Sequence, residues 1–450
     1  MEFSLLDFGA KGDGQTDDTA SIQRALDACS EAGGGRVRVP AGVYMTVSLE
    51  LKSYTELHLE PGAVLRGIYQ GAYRPISPGE DSLTALVFAK DAENVAITGG
   101  GTLDGQGHRY WKKLGAPRSG RPDVEEVGAA QFWYEHCRDL PKPNRMLAFL
   151  RCQGVQVRDV RLTGSTAWTC HLIESRNVKI RGIDIENPVY GPNTDGIDVD
   201  GSSDVLISDC TIRTGDDAVV LKTTNKFGGH CAIRNVTVTN CRFHTGCNGF
   251  KIGTETEEDI ENICFSNTTI YSPPEARPTE RCITGIAIET VDGGNVRNVV
   301  CSNITMMNAR TALFIRLGER LRGGREHAGE LRGIALSNII AAGATHPSVI
   351  SGFPGHPVED VQIHNLQLET LGGGIRTQEE IGPIPEKPEE YPEVFMFEEV
   401  PASSLYLRHI DRLQLSNLMF RLQKEDMRPA VFAEDVDREV SLADPSWTIA

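Results

Sequence analysis

Apolar and polar residues alternate at period two in short runs along this chain, and the runs share one form: Asn, Asp or Gly, then Val or Ile, a variable residue, and a second apolar residue. The copies are Asn94-Val95-Ala96-Ile97, Gly154-Val155-Gln156-Val157, Asn177-Val178-Lys179-Ile180, Asp204-Val205-Leu206-Ile207, Asn235-Val236-Thr237-Val238, Asn262-Ile263-Cys264-Phe265, Gly333-Ile334-Ala335-Leu336 and Asp360-Val361-Gln362-Ile363. Such alternation predicts strands buried on one face and ended by turns. Where the copies are closest they recur every roughly 23–31 residues, the period of a solenoid. One coil of this kind cannot bury its inner face alone, whereas coils stacked about 4.8 Å apart share a continuous core. The pattern therefore predicts an all-β chain, a right-handed parallel β-helix. A sandwich or propeller would carry hairpin dipeptides such as Asn-Gly and Asp-Gly between its strands, and these are scarce.

A helix-period stripe of Ile22, Ala25, Leu26, Ala28 and Cys29, stopped by Gly33-Gly34-Gly35, predicts a helix over residues 17–33. It would cover the open end of the solenoid. Residues 104–147, with Trp111, Trp133 and Tyr134, and residues 375–400, rich in Glu and Pro, break the coil pattern and read as loop insertions. The first is a candidate cleft wall, the second a solvated excursion. All of residues 1–450 are expected to form one domain around a single core.

Charge narrows the partners: 62 acidic against 45 basic residues, a net charge of −17, repels nucleic acid at long range. Among the eleven cysteines, Cys152, Cys210, Cys231, Cys241, Cys264 and Cys301 lie in apolar runs, the number is odd and no Cys-x-x-Cys pair occurs. Buried free thiols are expected, with no zinc site. Met1-Glu2-Phe3-Ser4-Leu5-Leu6-Asp7 has neither a basic stretch nor an apolar run long enough for a leader or a membrane span, so a cytoplasmic protein is expected.

Three runs concentrate polar residues that a purely structural coil does not need: Asn193-Thr194-Asp195-Gly196, Gly215-Asp216-Asp217 and Asn248-Gly249-Phe250-Lys251-Ile252-Gly253. Asp195 precedes Asp216 by one coil, so stacking brings their strands side by side. Clustered carboxylates repel when ionised, so one stays protonated while its neighbours stay charged. Glycoside hydrolysis needs that division, with one acid for the leaving oxygen and one base for water. Asp198, Asp200 and Asp209 are better read as turn and ladder residues.

The paired Asn193-Thr194-Asp195-Gly196 and Gly215-Asp216-Asp217 resemble the signature of the polygalacturonase family, glycoside hydrolase family 28. The opening Phe8-Gly9-Ala10-Lys11-Gly12-Asp13-Gly14, with Thr16-Asp17-Asp18 and Val39-Pro40-Ala41-Gly42, is similar to the start of many pectin-active β-helix proteins. Leu405-Tyr406-Leu407-Arg408-His409 resembles a late segment of bacterial members. The resemblance implies an inverting hydrolase of α-linked pectin fragments, with Asp216 as general acid and Asp195 and Asp217 positioning the attacking water. Asn248 stands where the family has a His before Gly249. Phe314-Ile315-Arg316-Leu317-Gly318 resembles the family's Arg-Ile-Lys motif with Gly318 in the Lys place. Arg316 is thereby implied as a sugar-carboxylate ligand, and preference for an acidic sugar is expected to be weak unless Lys222, Lys251 or Arg320 supplies charge.

Trp168 and His171, one coil before Asn193, are further candidates for sugar contact, as are Asn193, Lys222, Asn248 and Lys251. The expected partner is an oligosaccharide, with no cofactor, metal, nucleic acid or membrane required and homo-oligomers left open. Two other functions compete. A polysaccharide lyase shares the fold but typically needs Ca²⁺ and an Arg or Lys base, and a carbohydrate-binding β-helix would hold glycan without turnover.

Overall fold

The computed structural model describes residues 1–76, 83–117, 129–438 and 448–449, and the chain divides into two compact units, Met1–Ala218 and Val219–Ala450. Each unit is a stack of right-handed coils whose strands pair in parallel with the equivalent strands of the next coil.

In the first unit the repeats read from the sequence form one stack of strands. Val95, Val155, Val178 and Val205 fall in register, as do Ile97, Val157, Ile180 and Ile207. A second stack runs Ala85–Lys90, Arg145–Leu150, Trp168–Ile173 and Ile197–Asp200. A third runs Thr102–Asp104, Arg161–Thr163, Asp184–Glu186 and Thr211–Thr214. In the second unit a repeat column runs through Val236, Ile263, Val299, Ile334, Val361 and Leu413, all buried.

The polar residue that opens each repeat has a backbone reason. Asn94, Asn177, Asp204, Asn235, Asn262, Asn298 and Asp360 all have φ between 51° and 61°, the left-handed region that Asn, Asp and Gly tolerate best. Their side chains also stack: the Asn298 amide donates to Asn262 Oδ1 (3.2 Å), and that of Asn262 to Asn235 Oδ1 (3.3 Å). A second amide column joins Asn267, Asn303, Asn338, Asn365 and Asn417. Inside the same unit Phe243, Phe265 and Phe250 stack in parallel planes, with Phe250 and Phe265 centroids 4.4 Å apart.

The predicted helix spans Thr19–Glu31 and buries Ile22, Ala25, Leu26 and Cys29 against Leu5–Phe8 and the first coil strands. It starts later than 17 because the Asp18 carboxylate turns back to accept the Lys11 and Gly12 backbone N–H groups (2.7 and 3.0 Å). It stops where the N–H of Gly34 closes on Cys29 O.

The described parts of the two insertions carry regular elements, while residues 118–128 of the first lie outside the described residues. In the first, Trp111–Lys113 and Tyr134–His136 make a short antiparallel ribbon and Ala130–Trp133 a 3-10 turn. In the second, Thr377 caps the short helix Gln378–Ile381 and Val394–Phe397 is a 3-10 turn. All eleven cysteines are free thiols, and most are buried.

Candidate active site

In the first unit, the Gly196 N–H donates to Asp217 O (2.9 Å) and the Ile197 N–H to Ala218 O (3.0 Å), which sets Asp195 and Asp217 on neighbouring coils. Two glycines permit this approach. A Cβ on Gly196 would sit 2.4 Å from Ala218 O, and one on Gly215 would sit 2.3 Å from Gly191 O. Thr194, fully buried, ties the same turns together: its hydroxyl donates to Gly191 O (2.9 Å) and accepts from the Gly215 N–H (3.0 Å).

The three carboxylates differ in setting. Asp195 and Asp217 are buried, whereas Asp216 is half-buried. One Asp216 oxygen accepts the Asp217 N–H (2.9 Å) and the other accepts the Asn193 amide (3.4 Å). Carboxylate oxygens of Asp216 and Asp217 lie within 4.8 Å of each other. The most accessible acid is thus held by hydrogen bonds beside a second acid, a geometry suited to delivering a proton to one oxygen while water is activated by another carboxylate.

The insertion meets this loop directly. Gln131, buried on its 3-10 turn, accepts the Asn193 N–H (3.0 Å), and the Trp111 indole N–H donates to Thr166 O (2.9 Å). Tyr190, three residues before Asn193 and 36% exposed, stacks on Tyr134 of the insertion at 4.7 Å. Neither Gln131 nor Tyr190 stands out in the sequence.

His171 and Trp168 lie one coil earlier. His171 is 1% exposed and its Nδ1 accepts the Arg145 Nε–H (3.0 Å) while Nε2 faces Asp200 Oδ2 (3.3 Å). One face of Trp168 is covered by the Arg145 guanidinium at 3.8 Å, and its ring meets the His171 ring edge-on at 4.7 Å. His171 is therefore sealed behind Arg145 rather than open to a sugar. Burial pushes the Arg145 guanidinium down to about 10 against the opposing charges of Asp198, Asp195 and Asp200.

In the second unit, Asn248 and Lys251 lie on Asn248–Thr256, paired on one side with Val219–Thr223, which carries Lys222. All three side chains are buried. The strand on the other side is Thr284–Thr290, and Thr311–Leu317 follows it, so Arg316 stands two strands from Lys251 and opposite Glu289. Its guanidinium is engaged by the chain itself. Nη1 donates to Ser351 Oγ (2.7 Å) and Gly352 O (2.6 Å), and Nη2 to Glu386 O (2.6 Å), with the Phe397 ring 5.3 Å away. In place of a sugar carboxylate, Arg316 holds the 375–400 excursion to the coil.

Two of the other expected cations, Lys251 and Arg320, are paired within the chain. Lys251 Nζ lies 3.6 Å from Glu289 Oε2, and Arg320 makes a two-pronged pair with Asp292. A side chain at Gly318 would meet Pro388 O at 2.8 Å, which excludes Lys there.

Residues 29–387 match the family model described as glycosyl hydrolases family 28. The chain belongs to this family. A probable polygalacturonase of Vitis vinifera is 27% identical over 394 residues, covering 81% of this chain and 74% of that protein. Among solved structures, an exopolygalacturonase from Thermotoga maritima aligns with a TM-score of 0.67 and 24% identity, covering 94% and 92% of the two chains. A family 28 exopolygalacturonase from Yersinia enterocolitica aligns with a TM-score of 0.73 and 20% identity over 98% and 78%. Family 28 membership makes the protein a glycoside hydrolase, and these structural neighbours share its right-handed parallel β-helix.

Proposed function

We propose that this family 28 hydrolase cleaves an α-glycosidic bond in pectin-derived oligosaccharides with inversion. Asp216 protonates the departing glycosidic oxygen while Asp195 and Asp217 hold the water that attacks the anomeric carbon and accept its proton. The observation that carries the reading is the half-buried Asp216 beside buried Asp217, within 4.8 Å, with the Asp195 coil bonded to theirs through Gly196 and Asp217. That separation is shorter than the roughly 6.5–9.5 Å generally left for water between an acid and a single base. On this reading the water is therefore held by Asp195 and Asp217 together, not lodged between Asp216 and Asp217.

The attack mode follows from the insertion. Gln131, Trp111 and Tyr134 pack against the Asn193 loop and support a groove closed on that side, so the enzyme releases units from a chain end. Proton NMR of the first product reports inversion, and chromatography of a long polymer digest reports terminal release. Retention would remove the water-holding role of Asp195 and Asp217; random mid-chain fragments would remove the exo reading.

The acidity of the preferred sugar is a separate matter. Internal pairing of Lys251 and Arg320 favours a less acidic fragment, such as a rhamnose-containing one, unless a further cation is present.

A further inference from the structure

In the first unit, successive coils place one residue at the same height just before the repeat strand, always with positive φ: Gly34, Tyr54, Asn94, Gly154, Asn177 and Asp204. Gly, Asn and Asp tolerate that conformation. Tyr54, with φ 63°, is the exception, and a bulky residue there strains the backbone. The adjoining coils hold it: its N–H donates to Glu93 O (2.8 Å), and its carbonyl accepts the Gly35 N–H (3.0 Å). The ring gains little burial in return. It is 52% exposed, with its hydroxyl fixed on the Glu93 carboxylate (2.6 Å).

Tyr54 lines an open groove of about 650 Å³, together with Arg36, Glu56, Asn94 and Ala96. The groove follows from one short side chain. Along this row of the sheet the residues are Arg36, Glu56, Ala96, Gln156 and Lys179, so Ala96 leaves a depression among long neighbours. Arg36 is committed to Glu56 through two bonds (3.0 and 3.2 Å), and Glu56 also accepts the Thr98 hydroxyl. Asn94 is exposed, and its amide makes no hydrogen bond among the described residues, because the next coil carries Gly154 at that height and offers no side chain to meet it.

We propose that this groove holds a neutral oligosaccharide, at a place separate from the catalytic carboxylates. A pyranose lays its C–H face on an aromatic ring, and its hydroxyls need both donors and acceptors, which the Asn94 amide and the Glu56 carboxylate supply. The volume is that of a small-ligand site. Charge disfavours an acidic sugar, since the Arg36 guanidinium is neutralised by Glu56 and the Glu93 carboxylate stands beside the ring. The groove lies on the repeat stack, whereas Asp195 leads into Ile197–Asp200 of the second stack. Along the repeat stack, Ser203–Ser208 of the Asp195 coil is three strands, or about 14 Å, beyond Glu93–Thr98. A sugar in the groove is thus held without being cut, and the inference stands independently of the hydrolase reading.

Ligand-observed NMR titration of the full chain with xylotetraose, β-1,4-galactotetraose and trigalacturonate tests it, in wild type and in Asp216→Asn, which excludes turnover. At least one neutral tetraose should bind both proteins equally, and excess trigalacturonate should leave that binding unchanged. Tyr54→Gly removes the ring and suits a positive φ, so it should melt no lower than wild type while binding the tetraose at least about tenfold more weakly. Ala96→Gln, which gives the depression the side chain that Gln156 already carries on the next strand, should weaken binding as much, and it decides the matter if Tyr54→Gly melts several degrees lower. Failure of both tetraoses to bind, or binding unchanged in Ala96→Gln or in a stably folded Tyr54→Gly, would overturn the proposal. So would displacement by trigalacturonate, which would place the sugar at the catalytic carboxylates instead.

Discussion

The Arg145 Nε–H donates to Nδ1 of His171 at 3.0 Å, and because a guanidinium only donates, that ring nitrogen must be the acceptor. The imidazole proton therefore sits on Nε2, directed at Asp200 Oδ2 3.3 Å away. Arg145, His171 and Asp200 form a chain of fixed polarity across the neighbouring strands Arg145–Leu150, Trp168–Ile173 and Ile197–Asp200, with Trp168 clamped under the guanidinium.

Removing Arg145 should loosen that chain. Arg145→Met is expected to lower kcat/KM about tenfold, with a red-shifted tryptophan fluorescence as the cover of Trp168 is lost. An unchanged kcat/KM together with a red shift would limit Arg145 to packing.

Asp216 offers the sharpest chemical test. Asp216→Asn keeps the shape and the Asp217 N–H as partner but cannot donate a carboxylic proton, so kcat should fall at least about a thousandfold while the melting temperature moves by a few degrees at most. Activity within tenfold of wild type would exclude Asp216 as the acid.

Arg316 separates binding from scaffolding. If its three short hydrogen bonds secure the 375–400 excursion, Arg316→Met should lower the melting temperature by several degrees and open residues 384–397 to proteolysis. A raised KM with unchanged stability would return Arg316 to the sugar.

A pH-dependent contribution lies at Asp426. Burial raises its carboxyl, but the Arg428 guanidinium and the N–H groups of Arg428 and Gly374 outweigh burial and hold it at about 2, below its ordinary 3.8. The folded protein thus releases this proton more readily than the unfolded chain, and the stabilisation is present above about pH 4 and lost as pH falls through 2. Asp426→Asn should be less stable than wild type at pH 6, with the gap in urea midpoint narrowing by pH 2.5. An equal gap at both pH values would assign the effect to hydrogen bonding alone.

Much of this was legible because coil and motif share one period. The Val and Ile columns could be read from spacing, and Asp195 and Asp216 fall on consecutive coils, so stacking brings their strands together without knowledge of the loops. The cations were not legible in the same way. Arg316 matched a motif, but its fate depends on carbonyls of Gly352 and Glu386, the latter 70 residues away on an excursion whose path no periodicity encodes. Gln131 reaches Asn193 over 62 residues, again from an insertion.

The asparagine column of Asn267, Asn303, Asn338, Asn365 and Asn417 bears on how a self-similar chain avoids misalignment. Nearly identical rungs can pair out of step, and a slip of one residue would turn the Val and Ile rows outward. Each amide in the column finds its partner only when the rung beneath is at the same height and its own residue is in the left-handed conformation. The column therefore works as a ratchet: every rung that docks checks the alignment of the one before it, and a displaced rung forfeits an amide bond as well as its buried face.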